Sequence, residues 1–134
     1  MVKIPRKLAD KAFIEKVRPG TVLRFPGFVF SNGSTRDKYL IYITHDAGGA
    51  AYYFLTTTNV ARYQSKPWLI PYVVTVPAGT VTYFNEDTVI QCDRLRYDLT
   101  LTKLKERYAE GKLLIAGPLP AAVIEDIKAV VFSS

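Results

Sequence analysis

Two apolar runs, KYLIYIT at 38–44 and AYYFLTT at 51–57, are joined by little more than the turn residues HDAGG. A parallel pair needs a crossover of about a dozen residues or more, so a joint this short dictates an antiparallel pair. The same holds upstream, where TVLRFPGFVF from Thr21 reaches KYLIYIT through SNGSTRD. Further on come PYVVTV at 71–76, then TVTYF past the Ala78-Gly79 turn, and TVIQC after the turn NED. These segments are rich in β-branched and aromatic residues and are punctuated by turn formers. The pattern predicts a meander that closes into a strongly curved antiparallel sheet or a partly open barrel.

The period changes at both ends. PRKLADKAFIEKV at 5–17 opens with a proline suited to a first helical turn and places Leu8, Ala12 and Phe13 on one face; Pro19-Gly20 ends it. TLTKLKERYAEG carries Leu101, Leu104 and Tyr108 at helical spacing, with Gly111 placed to cap. LLIAGPL reads as one more strand. Pro120 then opens PAAVIEDIKAVV, whose Val123, Ile124, Ile127, Val130 and Val131 are expected to face inward. The fold class expected is β-rich α+β, a small antiparallel barrel with an N-terminal helix, a helix after the barrel strands and a C-terminal helix. With 134 residues, the chain is expected to form a single domain over 1–134.

Eighteen Lys and Arg against twelve Asp and Glu give a net charge of +6, which favours an acidic partner such as nucleic acid, an anionic membrane or an acidic protein. One cysteine, Cys92, excludes an internal disulfide framework. No apolar run reaches the roughly 18 residues of a spanning helix, and MVKIPRKLADK does not resemble a signal peptide, so no membrane partner and a cytoplasmic location are expected. Phosphate-loop, dinucleotide-loop and zinc-ligand motifs are absent, so no cofactor or metal is expected. Cys92 reads as a packing residue and His45, in THDAGG, as an exposed imidazole.

The order of motifs is more specific than any one of them. A first strand followed by FVFSNGSTRDKYLIYIT, a second ending in TTTN, then DTVIQCDRLRYDLT and LLIAGPLPAAVIEDIKAVV resembles the MazF/PemK family of toxin endoribonucleases over roughly residues 20–132. The resemblance implies an SH3-like barrel, a homodimer, metal-independent cleavage of single-stranded RNA, and a cognate antitoxin as partner in a type II toxin–antitoxin system. It also assigns roles. Asp93 falls on the family's strand-end acid and becomes the candidate for proton transfer, although pairing with Arg94 or Arg96 accounts for it equally. Thr57 and Thr58 match a Thr-Ser pair that offers donors to the scissile phosphate, and Arg96 matches a basic residue.

This chain also departs from the family. Lys38-Tyr39 stands in place of an Arg-Pro pair, with Arg36 two residues earlier, and Lys lacks the bidentate fork of Arg. Gln91 stands where some members have arginine. Residues 1–19 are expected to form a helical extension outside the usual pattern. The catalytic set implied is therefore Arg36, Lys38, Thr57, Thr58 and Asp93, with Gln91, Arg94 and Arg96 on RNA. NVARYQSKPW adds Arg62, Tyr63, Lys66 and Trp68, a mixture of cations and rings suited to a single strand; the alternative is that Trp68 plugs the core and the charges are solvated. Two other functional readings stand beside the nuclease. One is a catalytically inactive barrel of the same kind that binds RNA or a protein; the other is a subunit of a larger assembly that meets an acidic protein.

Overall fold

The computed structural model describes residues 5–30 and 32–132. In chain order these are α1 (Arg6–Lys16), β1 (Thr21–Val29), β2 (Thr35–His45), β3 (Ala50–Thr57), a short α2 (Ala61–Ser65) running into a 3-10 helix (Pro67–Tyr72), β4 (Val74–Val76), β5 (Thr88–Ile90), β6 (Arg96–Thr100), α3 (Leu101–Ala109), β7 (Leu114–Pro118) and α4 (Ala121–Phe132). The strands form one antiparallel sheet in the order β4-β5-β3-β2-β1-β7, and β6 pairs with β3 as well. The expected α+β architecture is present as a curled sheet, a half-barrel, with helices packed on it.

Register shifts produce the curl. One interrupts β1 against β2 between Phe25 and Phe28, at Pro26-Gly27, and others fall between Val22 and Leu23 and between Tyr42 and Thr44. Each extra residue bends its strand and increases the local twist. Asp37 holds the first by accepting a hydrogen bond from the Gly27 amide at 3.0 Å, and Arg107 donates to the Pro26 carbonyl at 3.2 Å.

The central strands read as unbroken apolar runs because both of their faces are covered. Leu23, Phe25, Leu40, Tyr42, Tyr53 and Leu55 face α1 and α3 through Phe13, Val17 and Leu104. Val22, Ile41, Phe54 and Ile90 face the other way, onto Val123 and Ile127 of α4 and onto Phe84. Alternate residues along a strand point to opposite faces, so each run feeds two cores. Truncating Leu40, which is 1% exposed, removes packing that the sheet cannot collapse to replace.

Several expectations are corrected at the level of single elements. TVTYF is not a strand: residues 80–84 form turns, and Tyr83 and Phe84 instead pack edge-on to each other and against Tyr39. In α1 the buried residues are Ala9 and Phe13, while Leu8 is exposed. PYVVTV pairs only from Val74, its first residues being 3-10 helix. In α4, Val123 and Ile127 are buried, Ile124 and Val130 are half-buried, and Val131 is exposed. No helix among the described residues is long and apolar enough to cross a membrane.

Gly20 shows how closely α4 is seated. Its φ is +90°, its amide donates to the Tyr42 carbonyl at 2.7 Å, and an added Cβ would lie 2.8 Å from Ile124 Cδ1. The backbone conformation demands glycine here, and an added Cβ would also make the Ile124 side chain give way. Gly20→Ala is expected to lower stability by about 1–3 kcal/mol and Leu40→Ala by about 2–5 kcal/mol, read as shifts in the urea unfolding midpoint.

Candidate functional site

DTVIQCDRLRYDLT does not form one strand. β5 pairs with the end of β3, Ile90 opposite Thr56 and Val89 opposite Thr57. The chain then leaves the edge and returns as β6, with Arg96 opposite Tyr53, Leu99 opposite Ala51 and Thr100 opposite Ala50. One edge of β3 thus carries two strands in succession, with a bulge at 91–95 between them. The Gln91 amide still bonds the Leu55 carbonyl at 2.9 Å, whereas the Cys92 and Arg94 amides bond back within the segment, to Ile90 and Gln91. Gln91 and Arg94 turn to one side of the sheet, Cys92 and Leu95 to the other.

A cleft of about 400 Å³ opens there. Its lining comes from five places: Phe30, Asn32 and Ser34 in the loop before β2; Arg36 and Lys38 on β2; Leu55 and Thr57 on β3; Arg62 on α2; and Gln91, Arg94 and Arg96 from the bulge and the start of β6. The register explains the convergence. Leu40 and Leu55 are cross-strand partners in the core facing α1 and α3. Lys38 and Arg36 precede Leu40 on the same face of β2, and Thr57 follows Leu55 on the same face of β3. The core surface therefore continues past its last apolar pair and becomes the cleft floor.

Among the described residues five cations line this space, and no Asp, Glu or His does. Their local partners differ. Lys38 Nζ donates to the Thr56 carbonyl at 3.1 Å and lies 5.7 Å from the centre of the Phe30 ring. Burial, and then the like charge of Arg36, holds its amine below the usual lysine value. Arg62 Nε is buried without a hydrogen-bond partner among the described residues, while its guanidinium lies 5.9 Å from the Tyr63 ring. Arg96 is held by Tyr53 and Asp98 and lies over Phe28 at 5.2 Å. Such a constellation is electrostatically costly when empty and matches a polyanion.

Of the residues singled out in the sequence, the structure gathers Arg36, Lys38, Thr57, Arg62, Gln91, Arg94 and Arg96. Tyr63 is buried beneath them, and its hydroxyl accepts from Gln91 Nε2 at 3.0 Å, so it props Gln91 rather than offering a ring face. Thr58, Lys66 and Trp68 are exposed away from the lining; Trp68, at 65% exposure, neither lines the cleft nor plugs the core. Asp93 lies outside the lining too. Its side chain is 15% exposed, its Oδ2 is 3.9 Å from Arg94 Nε, and its Oδ1 is buried without a hydrogen-bond partner among the described residues. Phe30, Asn32 and Ser34 were not singled out. Their signal was the continuity of FVFSNGSTR with Arg36. Asn32 is braced there, its Oδ1 accepting from the Ser34 amide at 3.0 Å and the Ser34 hydroxyl at 2.6 Å.

Cys92 and His45 behave as packing and surface groups. Burial, then the neighbouring Asp93 charge, pushes the Cys92 thiol up to about 12, which leaves almost no thiolate at neutral pH. His45 is exposed, with its Nδ1 2.7 Å from the Tyr42 hydroxyl. Among the described residues no group of three or more His, Cys, Asp or Glu is placed to hold a metal ion. Compared with known proteins, the chain matches no family model, no curated protein and no solved structure.

The Lys38 amine provides a direct check on the cleft's electrostatics. Its midpoint in a 13Cε-lysine NMR titration is expected to fall below 10.5 and to rise in Arg36→Ala, where the like charge is gone but burial remains. For stability the sign follows from linkage. A lysine with a depressed folded value binds fewer protons folded than unfolded, so its destabilising effect is full below the folded value and is relieved as pH rises towards 10.5.

Proposed function

We propose that the chain binds single-stranded RNA in this cleft and cleaves it without a metal ion, as the toxin of a type II toxin–antitoxin system on an SH3-like barrel of the MazF/PemK kind. The observation that carries the reading is the convergence of five cations, with the Thr57 hydroxyl and the Phe30 ring, on a cleft lined by no carboxylate among the described residues. Cations hold phosphates, hydroxyls donate to non-bridging oxygens, and an aromatic ring accepts an unpaired base.

RNA carries its own nucleophile, the ribose 2′-hydroxyl, so the protein needs only a proton acceptor and donors for the charge that builds on phosphorus. With Asp93 off the lining, Lys38 takes the acceptor role in this proposal, because its depressed amine has a larger neutral fraction than an ordinary lysine. Arg36, Arg94 and Arg96 stabilise the phosphorane. The 2′-oxygen bonds to phosphorus, the bond to the 5′-oxygen breaks, and solvent protonates the leaving oxygen. The products are a 2′,3′-cyclic phosphate and a 5′-hydroxyl.

The partners belong to the same proposal. An acidic antitoxin segment competes with RNA for the basic cleft. A second copy of the chain covers the apolar groove of about 550 Å³ on the other side, where Tyr72, Leu95, Val131 and Phe132 are exposed around Cys92 and Ile124. Exposed apolar area gathered in one place marks an interaction face. A second reading, an inactive barrel that binds RNA, is favoured by one observation: among the described residues the lining holds no acid or imidazole for ordinary acid–base catalysis.

Incubation with a long single-stranded RNA in EDTA separates the two. The nuclease reading expects fragments ending in cyclic phosphate, with cleavage lost in Lys38→Met; binding without fragments supports the inactive barrel. Both readings expect RNA affinity to fall with salt, with a log–log slope of about −3.5 if all five cations meet phosphates, and about 0.7 shallower in Arg36→Ala. A flat salt response would remove the RNA reading altogether.

A further inference from the structure

Arg96 differs from the other cations of the cleft in how it is held. Its Nε donates to the Tyr53 hydroxyl at 3.3 Å and its Nη2 to Asp98 Oδ2 at 3.0 Å, while the Tyr53 hydroxyl donates to Asp98 Oδ1. The three groups form a closed ring of hydrogen bonds. The Phe28 ring lies under the guanidinium, 5.2 Å from its carbon. By contrast, Arg94 has a long ion pair of 3.9 Å to Asp93, and Arg62 Nε has no hydrogen-bond partner among the described residues.

The backbone accounts for this ring. Tyr53 on β3 lies directly opposite Arg96 on β6, and Asp98, in the irregular stretch of β6 between Arg96 and Leu99, is brought within hydrogen-bond reach of both. Tyr53 is 2% exposed and fixed in the core, so its hydroxyl is an immobile anchor at the core's rim. Burial, then the bond to Asp98, raises the phenol above its ordinary value, so it remains a hydroxyl. With Nε and one Nη2 hydrogen committed, the guanidinium has three N–H groups left, on its Nη1 and Nη2 end. That end forms a fork suited to two phosphate oxygens.

We propose that Asp98 and Tyr53 are positioning residues that fix Arg96 before RNA arrives, so that its free fork meets a phosphate without first being ordered. Neither lines the cleft. The inference rests on the RNA reading above for its consequence but not for its geometry. It makes a prediction opposite in sign to simple electrostatics. Removing an acid beside a cationic cleft strengthens the field and should tighten binding of a polyanion. Removing a positioning acid should weaken it.

The experiment measures affinity for a short single-stranded RNA at fixed low salt in wild type, Arg96→Ala, Asp98→Asn, Tyr53→Phe and the Arg96→Ala/Asp98→Asn double variant, with Asp37→Asn as a charge control. Thermal unfolding of each variant confirms that it is folded. Arg96→Ala is expected to weaken binding by about tenfold or more, the loss of one charge-assisted pair. Asp98→Asn and Tyr53→Phe are expected to weaken it by about threefold to tenfold, with no further loss when Asp98→Asn is added to Arg96→Ala. Asp37→Asn should leave affinity equal or slightly tighter. Equal or tighter binding by Asp98→Asn and Tyr53→Phe overturns the proposal. A second readout needs no RNA: the Arg96 Nε–H, which donates to the Tyr53 hydroxyl, should exchange slowly with solvent in wild type and quickly in Tyr53→Phe. Fast exchange in wild type also overturns it, whereas slow exchange in a wild type that binds no RNA upholds the positioning and removes the RNA reading.

Discussion

Everything described here depends on β3 being fully committed. One of its edges pairs with β2 along nearly its whole length, and the other is shared by β5 and β6 in succession. Its two faces feed separate cores, Leu55 and Tyr53 on one side and Phe54 on the other. A strand with no free edge and no free face cannot shift its register without turning apolar residues to solvent. That rigidity is what allows chain segments as distant in sequence as Arg36 and Arg96 to be held around one space.

The cleft sits where this commitment ends. Beyond Leu40 and Leu55 the same sheet face carries Lys38, Arg36 and Thr57, so apolar burial gives way to charge within one strand repeat. Like charges brought together in a partly enclosed space oppose folding, and the cores must offset that opposition. The depressed Lys38 amine is its local sign, since the field of Arg36 adds to burial in disfavouring the ammonium. Where ordering matters most, the chain adds structure: Tyr53 and Asp98 brace Arg96, Tyr63 props Gln91, and Ser34 braces Asn32.

Much of the fold was legible because its signals were local and strong. The short joints around β2 and β3 left only antiparallel pairing, and the helical periods of α3 and α4 were clear of the strands. β6 was not legible, because RYDLT shows charge where strands usually show apolar alternation; it pairs anyway, since β3 offers an open edge beyond the bulge. TVTYF failed for the opposite reason. It has the composition of a strand, but its aromatic rings are used to cap the α4-side core from a turn. At the site, the cations could be named but not their arrangement. Asp93 and Arg94 are adjacent in sequence, and only the course of the bulge turns one towards burial and the other towards the cleft. Phe30 passed as one more strand aromatic, because nothing in FVF marks which ring lies at the sheet's end.

The bulge at 91–95 has a consequence for how such a molecule can change over time. Its Cys92 and Arg94 amides bond Ile90 and Gln91 rather than β3, and pairing with β3 resumes at Arg96. Substitutions or a change in length there would alter one wall of the cleft while leaving the sheet's register intact. The floor, built from Lys38 and Thr57 beside the core pair, has no such freedom. The architecture thus separates a wall carried by a loop from a floor fixed by the core pair beside it.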